Sequence, residues 1–356
     1  MKKIYPLNLN NEFHFNSTSR DFIVSEIPLY DFSGEGEHLI VHMRKKDMTT
    51  WDLISTLASF LGIKKKEIGY AGLKDKNAMT MQYISIPAKL EEKLSSFSHP
   101  QIKILSTTKH NNKIRVGHLK GNNFKIRLKK VLGVQRDKLD SALNWIDKNG
   151  IPNYFGNQRF GTDGTNWIDG KKILDGKLKL RDRKTRDFLV GSYQSYLFNQ
   201  WLSKRMEINL LLESFEEQEA QNILSLPQDS LKDTKKQPNF FKILYGDILM
   251  HYPYGRIFDA LELEEESKRF ELRDLSPTGL LPGKKPKHST QNARFIEDMF
   301  DEVINVQATR RYAWIFPTDI KSNYIEEKAH YELEFSLPKG AYATNLLDVL
   351  RGKEDV

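Results

Sequence analysis

The sequence contains no cysteine. That excludes a disulfide framework, a thiolate metal centre and a cysteine nucleophile, and it suits a reducing compartment. No apolar run approaches the roughly 20 residues that a membrane-spanning helix needs. The opening MKKIYPLNLNNEF has two lysines but no apolar stretch of the kind a secretory signal carries. A soluble, cytoplasmic protein is therefore expected. Familiar sites are also missing. GTDGTNWIDG lacks the lysine and the preceding strand of a phosphate-binding loop. The nine histidines include no HExxH. His38 and His42 are four apart in an expected strand with no third ligand in view, and SGEGEH before them reads as a turn. No metal is expected.

What is present supports a folded chain. Hydrophobic residues make up 39% and charged residues 29% of 356 positions, enough for a buried core and long enough for two domains. The net charge of +8 favours a polyanionic partner, although a lysine-rich surface with no such partner has the same composition. The basic runs Lys64-Lys65-Lys66, Lys284-Lys285-Pro286-Lys287 and Arg181 to Arg186 are each, taken singly, more often a solvated face than a binding site.

From Phe22 to about Val131 the pattern is mostly strands. In NFKIRLKK, Phe124, Ile126 and Leu128 alternate with Lys125, Arg127 and Lys129, which predicts a half-buried strand with one basic face. NKIRVGHLK, EHLIVHMRK and MQYISIP read as further strands. Between them TTWDLISTLASFLG predicts a helix, with Thr49 and Asp52 at capping-box spacing and Gly62 as its stop. RDKLDSALNWIDKNG predicts a second, ending at Gly150. IPNYFGNQRFGTDGTNW is then turn-rich and aromatic, residues 186 to 225 look helical, and 225–239 reads as an exposed loop. Near the end Tyr331, Leu333 and Phe335 return to strand alternation. The expected organisation is a β-rich domain interrupted by a mostly helical insertion.

With cysteine absent, Asp75 in GYAGLKDKNAMTMQ is the best nucleophile candidate. Lys74 and Lys76 flank it, and if they lie near it in space they favour its ionised form. An ordinary charged turn has the same composition, so both readings stay open at this level. Phe124 likewise reads as a core residue or as an aromatic that stacks a base.

Five stretches taken together resemble one family, the TruD family of tRNA pseudouridine synthases. RDFIVSEIPLYDFSGEGEHLIVHMRKKDMTTWDLI is similar to its N-terminal signature, and GYAGLKDKNAMTMQ to its catalytic loop. HLKGNNFKIRL, GIPNYFGNQRFG and LPKGAYATNLLDVLRG follow in the family's order. The resemblance implies an α+β fold: a pseudouridine-synthase catalytic domain with a mixed, mainly antiparallel sheet over 1–149 and 309–356, interrupted by a mostly helical TruD-specific insertion over 150–308. It puts Asp75 on the nucleophile, and Phe22, Asn122 and Phe124 on residues lining the uridine pocket. The C-terminal pocket position, usually Phe, is Tyr342, and Asn77 stands where the loop commonly has His. The implied reaction isomerises uridine 13 of tRNA to pseudouridine in a monomer, without metal, nucleotide or redox cofactor. Whether the aspartate attacks the sugar or the ring, or assists elimination to a glycal, stays open. Rival readings are a non-catalytic RNA-binding protein and a hydrolase using Asp75.

Overall fold

Strand follows strand through the first third of the chain because apolar and polar residues alternate there. The structure, a computed structural model, describes residues 3–352. It begins with strands β1 (Phe22–Pro28) and β2 (His38–Lys46), helix α1 (Thr50–Leu61), and strands β3 (Gly69–Tyr70) and β4 (Met79–Pro87). Helix α2 (Glu91–Ser95), strands β5 (Ile102–His110) and β6 (Leu119–Lys129), and helix α3 (Gly133–Asn149) follow. Next come β7 (Ile151–Pro152), α4 (Asn166–Leu174), α5 (Arg183–Ser214) and α6 (Glu217–Ile223). Then β8 (Ile248–His251), β9 (Ile257–Asp259), α7 (Leu263–Glu271), β10 (Leu275–Leu281) and α8 (Gln291–Asp298). The chain closes with β11 (Thr309–Tyr312), β12 (Trp314–Ile315), β13 (Thr318–Ile325), β14 (His330–Pro338) and α9 (Ala343–Arg351).

Residues Glu12–Ser141 and Pro317–Gly340 form one compact unit. Its eight-stranded sheet has the order β13-β14-β6-β1-β4-β2-β5, with β3 beside β4. β1 and β4 pair in parallel and the other pairs are antiparallel, as the expected fold class requires. Register decides which side chains share a face. Val24 lies opposite Phe124 and Thr80, Phe124 opposite Phe335, and Thr80 opposite Lys45. Alternation then puts Phe22, Glu26, Gln82 and Asn122 on that same face. Helix α1 covers one end of it, packing Leu53, Ile54 and Leu57 on Leu39, Val41, Met43 and Ile84. Its capping box is formed, with Asp52 N–H donating to Thr49 Oγ1 and Thr49 N–H to Asp52 Oδ2, and Gly62 ends it at φ +70°.

Two expectations for this unit change. NKIRVGHLK is not a strand: residues 111–118 form a loop that turns at Gly117 (φ +93°), leaving Val116 exposed, and β6 starts only at Leu119. The basic face of β6 does not stand free either. Lys125 pairs with Glu334 at 3.1 Å and Arg127 with Glu332 at 3.0 Å, because β14 brings its own acids into register, and Lys129 pairs at 2.5 Å with Asp21, just before β1.

Met1–Asn11, Ala142–Phe316 and Ala341–Val356 form the other compact unit. Helices α4 to α8 supply most of its regular structure, but it also holds a four-stranded antiparallel sheet, β11-β10-β8-β9, that the sequence reading did not expect. Its long helix α5 carries Arg205, buried and gripped at both nitrogens by Asp247 at 2.7 and 2.9 Å. Gly150 follows the last residue of α3, where the helix was expected to end, whereas the compact units divide earlier, between Ser141 and Ala142. At φ +80° Gly150 leaves room for Trp314 and Ile315, whose atoms a Cβ would meet at 2.6 Å. The segment 225–239 is not simply exposed: Ser230, Leu231, Thr234 and Gln237 are buried. The Gln237 amide bonds both the N–H and the C=O of Ile243, which ties the turns down. Among the described residues no helix is long and apolar enough to cross a membrane.

Gly121 shows how tightly the strand carrying Asn122 is set. A Cβ there would sit 2.1 Å from the Leu337 carbonyl oxygen on β14. Gly121→Ala should therefore push β6 and β14 apart and cost about 1–3 kcal/mol, measured as a lowered midpoint in urea unfolding.

Candidate active site

Asp75 lies on the loop between β3 and β4, in an exposed stretch bounded by buried residues. Lys74 and Ala78 are buried, whereas Asp75, Lys76 and Asn77 are exposed. The loop is held from both sides. Lys74 N–H donates to Thr50 Oγ1 (2.9 Å), which itself donates to Gln82 Oε1 (3.2 Å). Ser17 Oγ donates to the Asn77 carbonyl (2.7 Å), and Gly117 N–H to the Ala71 carbonyl (2.8 Å). Beneath the loop lies Lys45, fully buried, whose ammonium donates to the carbonyls of Met48 (2.6 Å) and Asp75 (3.1 Å). Burial pushes Lys45 down to about 8, opposed by the Asp75 charge.

Lys74 does not serve Asp75 in the way its sequence position suggests. Its ammonium turns into the sheet, 2.9 Å from Glu26 Oε2, and donates to Asn122 Oδ1 at 2.7 Å. Sequence neighbours in a loop need not be spatial partners. Glu26, Lys74 and Asn122 thus form a polar row on a sheet face that is otherwise largely apolar or aromatic. Glu26 and Lys45 were missed in the sequence because each sits in a strand that reads as ordinary alternation.

The aromatic candidates meet on the same face. Phe22 and Phe124 stack with centroids 6.1 Å apart and planes 9° apart, and Phe124 also stacks on Phe335 at 5.4 Å. Phe15 meets Phe22 edge-on. Both Phe22 and Phe124 are buried, while Asn122 is partly exposed. Phe124 faces away from Lys125, Arg127 and Lys129, so it is not an aromatic on a basic face. His42 stacks on Tyr83 at 4.4 Å, and the described residues include no group of three His, Cys, Asp or Glu placed to share a metal ion.

Tyr342 belongs to the other unit, at the N-terminus of α9. Its ring lies over Gly156, where a Cβ would stand 3.6 Å from Tyr342 Cγ, and 6.4 Å from the Phe155 ring. The Arg311 guanidinium is 5.7 Å from the Tyr342 ring and 4.0 Å from that of Phe155.

Comparison with known proteins agrees along the whole chain. The family model for tRNA pseudouridine synthase D (TruD) matches residues 13–180 and 178–349. The chain is 54% identical over 357 residues to tRNA pseudouridine synthase D of Sulfurimonas denitrificans, covering 100% of both chains. It is 52% identical to the protein of the same name from Wolinella succinogenes, covering 99% of each. With that from Helicobacter pylori strain J99 it shares 46%, over 96% of this chain and 93% of the relative. The crystal structure of a putative tRNA pseudouridine synthase D from Methanosarcina mazei has the same fold, with a TM-score of 0.65, 22% identity, and 100% and 96% of the two chains covered. Matched from near its first residue to near its last by the model, and by relatives of its own length, the chain belongs to the tRNA pseudouridine synthase D (TruD) family of isomerases.

Proposed function

We propose that this protein converts a uridine of tRNA, uridine 13 by the family resemblance, to pseudouridine with Asp75 as nucleophile. The observation that carries this is the geometry of the loop. It is fixed at Lys74, Asp75, Asn77 and Ala71, yet leaves the Asp75 side chain exposed beside a buried polar and aromatic row. A nucleophile held in place needs less reorganisation to reach the reacting carbon. By the same resemblance the catalytic domain is residues 1–149 with 309–356 and the family's insertion is 150–308. These limits differ from those of the two compact units, which divide at Ser141 and Phe316 and group Tyr342 with the insertion.

The row beside Asp75 suits the detached base. Lysine only donates, so its bond to Asn122 Oδ1 fixes the orientation of that amide and turns Nδ2 outward as a donor. A uracil carbonyl accepts such a bond. Phe22 and Phe124, already stacked on each other, form a stiff apolar floor rather than two free plates. Tyr342 contributes a substrate contact by the same resemblance. Taking the uridine out of its stack costs a few kcal/mol, which these contacts have to offset. The tRNA is the substrate.

Two outcomes follow. Asp75→Asn should bind tRNA as the parent does while forming no pseudouridine, because the amide keeps the shape and loses the anion; mapping pseudouridine in treated tRNA checks it, and modification at the parent rate would refute the assignment.

Lys45→Met should lower kcat at least tenfold with little change in KM, because the Asp75 carbonyl loses its anchor. Unpairing two carbonyls should also cost about 1–3 kcal/mol of stability. The parent's lysine is charged when unfolded up to 10.5 but only to about 8 when folded. The unfolded state therefore binds more protons between those values, and this group adds stability as pH rises through them. Plots of melting temperature against pH for parent and Lys45→Met should differ in slope over that window; parallel plots would show that burial does not lower the pKa of this lysine.

A further inference from the structure

The unit that contains Tyr342 treats its arginines in two ways. Buried Arg205 has Asp247, and Arg310 has Glu297 at 2.7 Å. Arg159 and Arg311 are partly exposed, and among the described residues neither pairs with a carboxylate. Each is nevertheless built into place. Arg311 donates to Asn153 Oδ1 (2.7 Å) and to the Asn153 carbonyl (3.1 Å), and lies over the Phe155 ring. Arg159 donates from Nε to Ser195 Oγ (3.1 Å) and lies over Phe188 at 5.1 Å.

Its guanidinium rests on α5 at Gly191, where a Cβ would be 2.3 Å from Nη2. The helix has no side chain at the point where the arginine crosses it. The two guanidinium groups lie within electrostatic reach of each other and of Tyr342. Burial lowers the pKa of both, Arg311 to about 10, with the Arg159 charge adding to the lowering at Arg311. A pair of oriented, mutually repelling guanidinium groups without an acid is an arrangement that an incoming anion would relieve.

We propose that Arg159 and Arg311 together grip one phosphate of the substrate RNA beside the Tyr342 ring. Planar guanidinium groups match phosphate oxygens in pairs, and their partial exposure lets a polyanion reach them. This inference rests on the reading of the protein as a tRNA-modifying enzyme. It adds which cations outside the nucleophile's own unit hold the backbone. Were the two arginines only stacking glue for Phe155 and Phe188, their removal would change melting and leave RNA affinity alone.

The test uses the full chain carrying Asp75→Asn, so that binding is read without turnover, and an unmodified tRNA transcript as the probe. Arg159→Gln and Arg311→Gln should each weaken binding roughly tenfold to a hundredfold. The pair together should lose less than the product, because both serve one phosphate. The slope of log K against log salt should fall in magnitude by about one. Gly191→Ala is the sharper probe. It removes no charge, suits a helix better than glycine, and meets Arg159 before any other group. It should keep or raise the melting temperature while weakening tRNA binding toward the level of Arg159→Gln. If the transcript binds the parent and all three single variants equally, with unchanged salt slope, the clamp is refuted and the function reading stands. A parent that does not bind the transcript would overturn both.

Discussion

The Lys74 ammonium is the group on which the arrangement around Asp75 depends. It lies between Glu26 on β1 and Asn122 on β6, and its own backbone N–H is held by Thr50 at the start of α1. One cation thus ties the loop to two central strands and to the helix that covers their neighbours. Lys74 turns inward, whereas Asp75, Lys76 and Asn77 after it are exposed. The same bond decides which end of the Asn122 amide faces the solvent side. A buried ion pair of this kind contributes little net stability, since desolvation offsets most of the attraction. Its value here is that removing either partner leaves a buried charge alone, so the arrangement has few alternatives.

Around that cation the sheet face is divided by what covers it. Under α1 it is wholly aliphatic, with Leu39, Val41, Met43 and Ile84. Farther along the same strands it changes to Lys45, Thr80 and Gln82, all fully buried. The change occurs within β2 and β4 themselves, so no loop insertion is needed to create a polar floor. Phe22, Phe124 and Phe335 close the other side by stacking on one another. Stacked rings on one side and a hydrogen-bonded loop on the other restrict the motion of this face.

What could be read from the sequence was local. The capping box of Thr49 and Asp52, the alternation of β6 and the helix stop at Gly150 each need only residues within a few positions, and each has the expected form. The directions of Lys74 and Lys45 were not legible, because they depend on partners 48 and 30 residues away in the chain. The sheet β8–β11 was hidden for another reason. Its strands are short, and β10 is buried on nearly every residue, so it shows no alternation. The segment 225–239 has loop composition, yet it is tied down by the Gln237 side chain on the N–H and C=O of Ile243, a use of glutamine that composition does not reveal. The five stretches that resemble the TruD family supplied what local physics could not: the family to which the chain belongs.

Charge needs the same separation of local from spatial reading. The net charge of +8 invites a search for RNA contacts where basic residues are densest, and β6 with Lys125, Arg127 and Lys129 is an obvious place. Its cations are balanced by Glu332, Glu334 and Asp21, and they lie on the face opposite Phe124. A phosphate binding there would have to displace carboxylates already in contact. Arg183 and Arg186 likewise share Asp187. Density of positive residues is therefore a poor guide to where a polyanion binds. A better one is the cation that the fold positions with neutral groups only, since its charge is not cancelled at short range and its geometry is set before the ligand arrives. By that measure Arg159 and Arg311, held by Ser195, Asn153 and aromatic rings, stand apart from the paired arginines of the same unit.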